Sequence, residues 1–196
     1  MQETGKSLEG LNTDKFLTTV QRDSELISRA STPTESTAPP RIFSDRCVNI
    51  FFQEWAPLFP ILHKPTFLRL YEEYVSQPSD MTDAHKLAQL HLVFSIAGIS
   101  SNIPDQPAIA ACDQQWRLSL ESISMDNSLT TLQCLVLALI HCILSADYTH
   151  LQHYKGMAIG LSLRLGLHQN QERFSFGALT RETRKKAFWT LYTIDW

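Results

Sequence analysis

Two segments, AIGLSLRLGLH at residues 158–168 and TRETRKKAFWTLYTID at residues 180–195, determine the fold of the chain's C-terminal part. The first is an apolar helical pattern that stops at Gly166, because glycine readily adopts the left-handed conformation in which many helices end. The second begins with basic residues and continues as an aromatic face at helical spacing. Together they predict a helix, a loop and a second helix, with no catalytic motif in either.

Two charged residues of the second segment, Arg184 and Asp195, are eleven positions apart, about three helical turns, and so lie on the same side of the helix. A buried guanidinium is usually paired, and Arg184 is therefore predicted to turn inward and anchor a neighbouring element. We expect the partner of Asp195 to lie outside this sequence. If the ring of Trp189 is buried, Trp189→Ala should cost about 3–5 kcal/mol.

The composition is that of a soluble globular protein, with 196 residues, 43% hydrophobic and 19% charged. The net charge of -3 argues against DNA binding by this chain itself, since phosphate neutralisation supplies much of that affinity. Residues 1–6 lack the apolar core of a signal peptide. Four widely spaced cysteines without a CxxC pair predict a reduced, intracellular protein: Cys47, Cys112, Cys134 and Cys142.

The N-terminal residues 1–42 are predicted to be a linker. Residues 31–40 contain eight Ser, Thr or Pro residues in ten, which cannot bury enough apolar area to offset chain entropy. A helix is conceivable over 11–30. We place the domain boundary near residue 42 and the helical domain over 43–196, which ends inside an amphipathic pattern and is therefore expected to be a fragment.

Apolar residues at helical spacing predict seven helices and no strand, hence an all-α fold. The predicted ranges are about 44–55, 65 or 66 to 76, 83–97, 106–124, 129–146, 149–165 and 180 onward. Residues 129–146 carry no charge and are apolar almost all round, which favours a central buried helix over a membrane span of roughly 20 residues. Gly156 and Gly160 share one helix face and predict the close approach of another helix.

Several residues are predicted to cap these helices. Ser44 or Asp45 suits the start of the first helix, and Thr180 suits the start of the last. Gly98 suits the end of the third. Between the first two helices, prolines in residues 57–65 predict an extended, apolar connector that packs onto the core.

No sequence motif indicates catalysis or metal binding. GxSxG, HExxH, Walker and GxGxxG patterns are all absent, so we expect no enzyme. His150 and His153 have HxxH spacing and His168 closes the same helix, but zinc usually needs three or four converging ligands, so no metal site is expected. His141 is interpreted as a satisfied core histidine. A helical enzyme that uses His168 or the HxxH pair is the weakest alternative.

Three segments in the same order carry a resemblance to a known family. Residues 59–67, FPILHKPTF, resemble the entry of the regulatory domain of fungal zinc-cluster transcription factors, the middle homology region. Ala158 with LGLH at 165–168 is similar to a second block of that family. Residues 182–195, with Glu182, an FW pair and a closing Asp195, are similar to a third. Gly160, Ser162, Lys185 and Lys186 depart from the family pattern.

The resemblance implies an all-helical regulatory domain, without a catalytic residue, that modulates transcription in the nucleus and in some members senses a small metabolite. It also implies DNA contact and zinc binding through a six-cysteine, two-zinc cluster that these residues do not include. Further partners implied are a small-molecule effector and transcriptional co-regulators, with no membrane. Eleven residues are assigned a structural motif role: Pro60, His63, Pro65, Phe67, Ala158, Gly166, His168, Arg184, Trp189, Tyr192 and Asp195.

The wholly helical pattern leaves one alternative open, a helical protein-interaction scaffold without a role linked to DNA. Helix pairs stacked in one direction would favour the scaffold. A bundle closed around the helix predicted at 129–146 would not.

Overall fold

The computed structural model describes residues 38–123, 127–169 and 176–195, and every regular element in these ranges is a helix. The predicted all-α class is confirmed. The helix predicted over 11–30 lies outside the described residues, as does almost all of the linker. The elements are α1 Arg41–Ile50 with a π-helical continuation Phe51–Trp55, α2 Lys64–Ser76, a 3-10 turn Pro78–Asp80, α3 Ala84–Ser100, α4 Gln106–Ser122, α5 Leu129–Leu144, α6 Tyr148–Arg164 and α7 Ala178–Asp195.

The four helices α3 to α6 each begin at a side chain that caps their free amides. The carboxylates of Asp83, Asp105 and Asp147 and the hydroxyl of Ser128 accept hydrogen bonds from backbone N–H groups in the first turn. Such caps satisfy donors that have no partner within the helix. The cap predicted for the last helix is wrong, because Thr180 lies inside α7, two residues after its start.

The first helix also starts differently from the prediction. It begins directly after Pro40, and neither Ser44 nor Asp45 caps it. Both residues lie inside α1, where Ser44 Oγ is 2.8 Å from the Tyr71 hydroxyl and Asp45 Oδ1 accepts a 2.7 Å hydrogen bond from that hydroxyl. These two side chains therefore tie α1 to α2.

The glycine predicted to end the third helix lies inside it. α3 continues past Gly98 to Ser100, so the predicted cap is wrong. A Cβ at Gly98 would lie 2.8 Å from Ile109 Cγ1 and 3.3 Å from Phe43 Cζ. The residue is small because α1 and α4 both approach α3 at this point, a tertiary cause that the local pattern does not reveal.

The core is built around α3 and α5. As predicted, α5 is a central helix, and its residues from Leu132 to Cys142 are buried except for Gln133. It packs against α3, α6 and α7, while α3 also packs against α1 and α4. This closed arrangement differs from the one-directional stacking of a repeat scaffold. None of the described helices is both long enough and apolar enough to cross a membrane.

The predicted close approach at the two glycines of α6 is wrong for the described residues. Among the described residues, nothing outside the helix backbone lies within 4 Å of a Cβ built at Gly156, and at Gly160 only Arg164 Nη1, which belongs to the same helix, does so, at 3.6 Å. α6 packs instead through Ala158 and Leu161, which are fully buried on another side of the helix.

Candidate functional site: the groove between the connector and α7

The connector between α1 and α2 is fixed to the core at both ends. Trp55 Nε1 donates a 2.9 Å hydrogen bond to Ser100 Oγ, and its ring stacks on Phe59 with the centroids 6.3 Å apart. Ile61 is fully buried, and its carbonyl accepts a 2.8 Å hydrogen bond from Gln133 Nε2 of α5. The prediction that this apolar connector packs onto the core is confirmed.

An open groove of about 400 Å³ separates the connector from the first turns of α7. Pro60, His63 and Pro65 line one side, and Glu182 and Lys186 line the other. These five residues belong to the first and third family-like segments. The fold thus brings together two segments that are more than a hundred residues apart in the sequence.

The groove combines an apolar floor with a polar rim. Phe52 and Leu179 contribute to the floor. At the rim, Lys64 Nζ lies 5.6 Å from the centroid of the Phe52 ring, and His63 Nδ1 lies 2.8 Å from Thr66 Oγ1. A smaller hollow of about 220 Å³, which the motif residue Phe67 helps to line, adjoins it. Cavities of several hundred Å³ with few polar groups are typical of small-molecule sites.

Arg184 joins the third segment to the second. Its side chain is buried, as predicted, and Nη2 donates a 2.6 Å hydrogen bond to the carbonyl of Leu165 at the end of α6. The guanidinium carbon also lies 4.6 Å from the centroid of the Phe176 ring. Burial lowers the pKa of Arg184, yet a guanidinium remains charged in proteins. This contact positions α7, which forms one wall of the groove.

The end of α6 has the geometry predicted for it. Gly166 has a φ of 65°, in the left-handed region. Its N–H donates to the carbonyl of Leu163 at 3.0 Å, and the N–H of Leu167 donates to the carbonyl of Ser162 at 3.1 Å. These two bonds form a Schellman motif, which satisfies the last carbonyls of the helix. His168 follows the motif and is exposed on the surface.

The partner of Asp195 lies within the chain, so the prediction of a partner outside it is wrong. Asp195 Oδ1 is 2.7 Å from Lys155 Nζ, which also donates to the Asp195 carbonyl at 3.2 Å. α7 packs beside α6, and this packing brings the end of one helix to the middle of the other. Ala158, the remaining motif residue of α6, is fully buried.

The aromatic face of α7 is largely on the surface. Trp189 is 54% exposed and Tyr192 46% exposed, and the Trp189 ring contacts Phe188 and Tyr192 with centroids 5.5 and 5.7 Å away. The ring of Trp189 is therefore not buried, and the cost of about 3–5 kcal/mol expected for a buried ring does not apply. Trp189→Ala removes only exposed aromatic contacts and should lower the free energy of unfolding by about 1 kcal/mol. Arg184 and Leu191 take the inward positions of α7.

His141 is a core histidine, as interpreted, but its partners in a polar network on α3, α4 and α5 were not predicted from the sequence. His141 Nε2 lies 2.9 Å from Asp113 Oδ1, the same oxygen that accepts hydrogen bonds from Ser95 Oγ and Trp116 Nε1. Burial alone would raise the pKa of Asp113, but the hydrogen bonds from His141 and Ser95 outweigh it and lower the pKa below its ordinary value. The available signal was His141 itself, since a histidine in a chargeless helix requires a polar partner.

The four cysteines are free and buried, an environment in which cysteine packs as a small hydrophobic residue. Burial raises the pKa of Cys47 and Cys134 to about 12 and that of Cys142 to about 11, and it also raises the pKa of Cys112. Their thiols therefore stay protonated at neutral pH. Since the thiolate is the nucleophile, none of them is a reactive cysteine.

The HxxH pair is not joined by a third metal ligand from the described part of the chain. Within the described ranges, no three His, Cys, Asp or Glu side chains are placed to hold a metal ion. His150 is engaged otherwise, with Nδ1 2.8 Å from Asp147 Oδ2. The zinc that the family resemblance implies is expected in a cysteine cluster outside these residues, not at the HxxH pair.

These observations define an all-helical domain in which three separate sequence segments meet: two face each other across an open groove, and Arg184 joins the third to them. The chain belongs to the family described as "Fungal specific transcription factor domain", whose sequence profile matches residues 48–196.

Curated relatives agree with this assignment. The chain is 60% identical to the transcriptional activator protein acu-15 of Neurospora crassa over 195 residues, which are 100% of this chain and 21% of that protein. It is 23% identical to the transcription factor FBD3 of Fusarium pseudograminearum, over 93% of this chain and 25% of that protein. It is 22% identical to the activator of stress genes 1 of Saccharomyces cerevisiae, over 80% of this chain and 18% of that protein.

The chain thus spans between about a fifth and a quarter of the length of these relatives. All three are named as regulators of transcription rather than as enzymes. No solved structure matches the chain.

Proposed function

We propose that residues 43–196 form the regulatory domain of a fungal zinc-cluster transcription factor and modulate transcription from DNA in the nucleus. The family match over residues 48–196 carries this proposal. It is supported by the groove, across which the first and third family-like segments face each other. In the parent protein, a six-cysteine, two-zinc cluster outside these residues would contact DNA. Co-regulators of transcription would be the protein partners.

The distribution of charge supports a regulatory role rather than direct DNA binding. The chain carries a net charge of -3. In the basic turn of α7, Arg184 is buried against α6 and Lys186 lines the groove, so these side chains are not arranged as a phosphate-binding stripe. The groove, with its volume of about 400 Å³, is where a small effector would bind and alter the contact between the connector and α7.

A reporter assay tests this proposal. The 196-residue chain would be inserted between an unrelated DNA-binding module and an activation segment, and reporter transcription measured with and without the insert. Two leucines that are both 53% exposed provide a matched pair: Leu179 lines the groove and Leu118 of α4 does not. We expect the insert to change transcription several-fold, and Leu179→Asp to abolish that change while Leu118→Asp preserves it. An insert without effect would contradict the regulatory role, and equal effects of the two substitutions would contradict the role of the groove.

A further inference from the structure

A second cavity, of about 570 Å³, lies among α4, α5 and α6 and shares no lining residue with the connector groove. Both histidines of the HxxH pair, His150 and His153, line it. Because no third metal ligand is placed beside them in the part of the chain that the structure describes, their shared position needs another explanation.

The α6 side of this cavity is an aromatic wall. The ring of Tyr154 stacks on that of His150, with centroids 6.0 Å apart and planes 28° apart, and contacts the ring of His153 at 5.6 Å. The buried ring of Trp116 supports Tyr154 from behind at 6.3 Å. Aromatic faces carry partial negative charge, and they attract cations placed within about 6 Å of the ring centroid.

The formal charge contributed by the described lining residues has one sign. Glu121 is the one charged residue among the described residues that line it, and it forms no ion pair with any described residue. The neighbouring cation, Arg117, does not line the cavity and is already engaged, with its guanidinium 4.6 Å from the Trp116 ring centroid and Nη2 3.3 Å from Asp147 Oδ2. A ligand that carries a positive charge would therefore complement the site.

The state of Tyr154 is consistent with this electrostatic picture. Burial raises the pKa of its phenol; Arg117 lowers it, while Glu121 and Asp147 are among the groups that raise it further. The phenol thus stays neutral at physiological pH, and its ring presents a neutral aromatic face. Glu121 and Tyr154 both line the cavity, so the carboxylate and the aromatic wall can act on one ligand.

We propose that this cavity binds a small organic cation, namely an amine or quaternary ammonium with an apolar or aromatic body. The ammonium lies between Glu121 and the aromatic wall, where an ion pair and cation–π attraction act together. The apolar body fills the floor formed by Leu120, Leu135 and Met157. This site is separate from the connector groove, since the two cavities share no lining residue.

Three probes of matched shape test the charge preference on the 196-residue chain: 2-phenylethylamine, the neutral 2-phenylethanol and the anionic 3-phenylpropionate. Dissociation constants would be measured by ligand-observed NMR titration. We expect the amine to bind about tenfold more tightly than the alcohol, given the size of cation–π and exposed ion-pair effects, and the carboxylate to bind most weakly. Equal binding of amine and alcohol, or no binding of the amine, would overturn the proposal.

Two substitutions locate the site. Glu121→Gln should weaken binding of the amine about three- to tenfold and leave binding of the alcohol unchanged, because only the charge is removed. Glu72→Gln, at an exposed carboxylate on α2 that does not line the cavity, is the matched control. His153→Ala, at an exposed position, should weaken both probes by reducing the aromatic wall. If Glu121→Gln and Glu72→Gln behave alike, the amine binds elsewhere and the assignment is wrong.

Discussion

Gly166 leaves α6 with a φ of 65°, and Ala146, between α5 and α6, adopts a φ of 54° although it carries a Cβ. In this left-handed region a Cβ approaches the following carbonyl oxygen, which costs roughly 1–2 kcal/mol. The backbone is therefore relaxed at Gly166 and strained at Ala146. The steric cost of a Cβ should therefore be added when Gly166 is replaced by alanine and removed when Ala146 is replaced by glycine.

We predict that Gly166→Ala lowers the free energy of unfolding by about 1–2 kcal/mol, and that Ala146→Gly raises it by about 0.5–1 kcal/mol. Gly156→Ala is the control, because Gly156 lies in a helix with open space around it. Alanine is the better helix former, so that substitution should stabilise by about 0.5–1 kcal/mol. Urea unfolding of the three variants measures these signs, and a loss of stability at Gly156 equal to that at Gly166 would contradict the argument.

Arg184 provides the second prediction for a single residue. Arg184→Met keeps much of the buried stem but leaves the Leu165 carbonyl without this donor, which should cost about 1–3 kcal/mol. Arg181→Met, at an exposed neighbour in the same turn, should change stability by less than about 0.5 kcal/mol. Chemical denaturation distinguishes the two, and equal values would show that the contact with α6 contributes nothing.

Single residues were predictable where chemistry acts locally. A glycine after an apolar helical run favours a helix end, and an arginine within an amphipathic stripe favours a buried, paired guanidinium. Gly166 and Arg184 both behave as predicted. Asp195 was not predictable, because its lysine lies forty residues earlier, and only the packing of α7 on α6 brings the two side chains together. The burial of Trp189 depended likewise on the rotation of α7, which the aromatic spacing does not fix.

At the scale of helices, Gly98 shows that local sequence alone does not predict where a helix ends. Its position near the end of an apolar pattern is typical of a helix terminus, yet α3 continues through it to Ser100. The residue is small because two neighbours that are far apart in the sequence, Phe43 and Ile109, approach it. Sequence periodicity predicted that α3 exists, but not that it is buried on all sides from Ala88 to Gly98 or that its glycine is a contact point.

We predict that Gly98→Ala destabilises the protein by about 1–3 kcal/mol, even though alanine favours a helix, because the new Cβ lies 2.8 Å from Ile109 Cγ1. The double variant with Ile109→Ala removes the obstructing atom. It should therefore be more stable than the sum of the two single effects. Strict additivity of the two substitutions in thermal or urea unfolding would refute the steric explanation.

For the whole molecule, the fold class and the central helix followed from the sequence, whereas the arrangement around the groove did not. Periodicity shows which side of a helix is buried but not which helix covers it. The pairing of His141 with Asp113 and the juxtaposition of His63 with Lys186 both arise from tertiary packing. The resemblance identified the segments concerned, and the structure supplied their geometry.

Acid stability is a property of the whole molecule that one buried residue of α3 should dominate. His91 is 5% exposed and packs edge to face against the rings of Tyr74 and Phe94. Burial lowers the pKa of its imidazole from 6.5 to about 4. Between these values the unfolded chain takes up a proton that the folded protein does not, so stability falls as pH decreases. The loss from pH 7 to pH 4 amounts to about 3 kcal/mol.

His91→Phe retains an aromatic ring among Tyr74 and Phe94 and removes the titrating group. We therefore expect its free energy of unfolding to fall by about 3 kcal/mol less than that of the unsubstituted chain between pH 7 and pH 4. The contribution of Asp113 lies at lower pH, because its lowered pKa preserves stability until its carboxylate is protonated. Urea unfolding across this range measures the difference, with His168→Gln, at an exposed histidine, as control. If His91→Phe and the unsubstituted chain lose the same stability, the acid sensitivity originates elsewhere and His91 takes up its proton without unfolding the core.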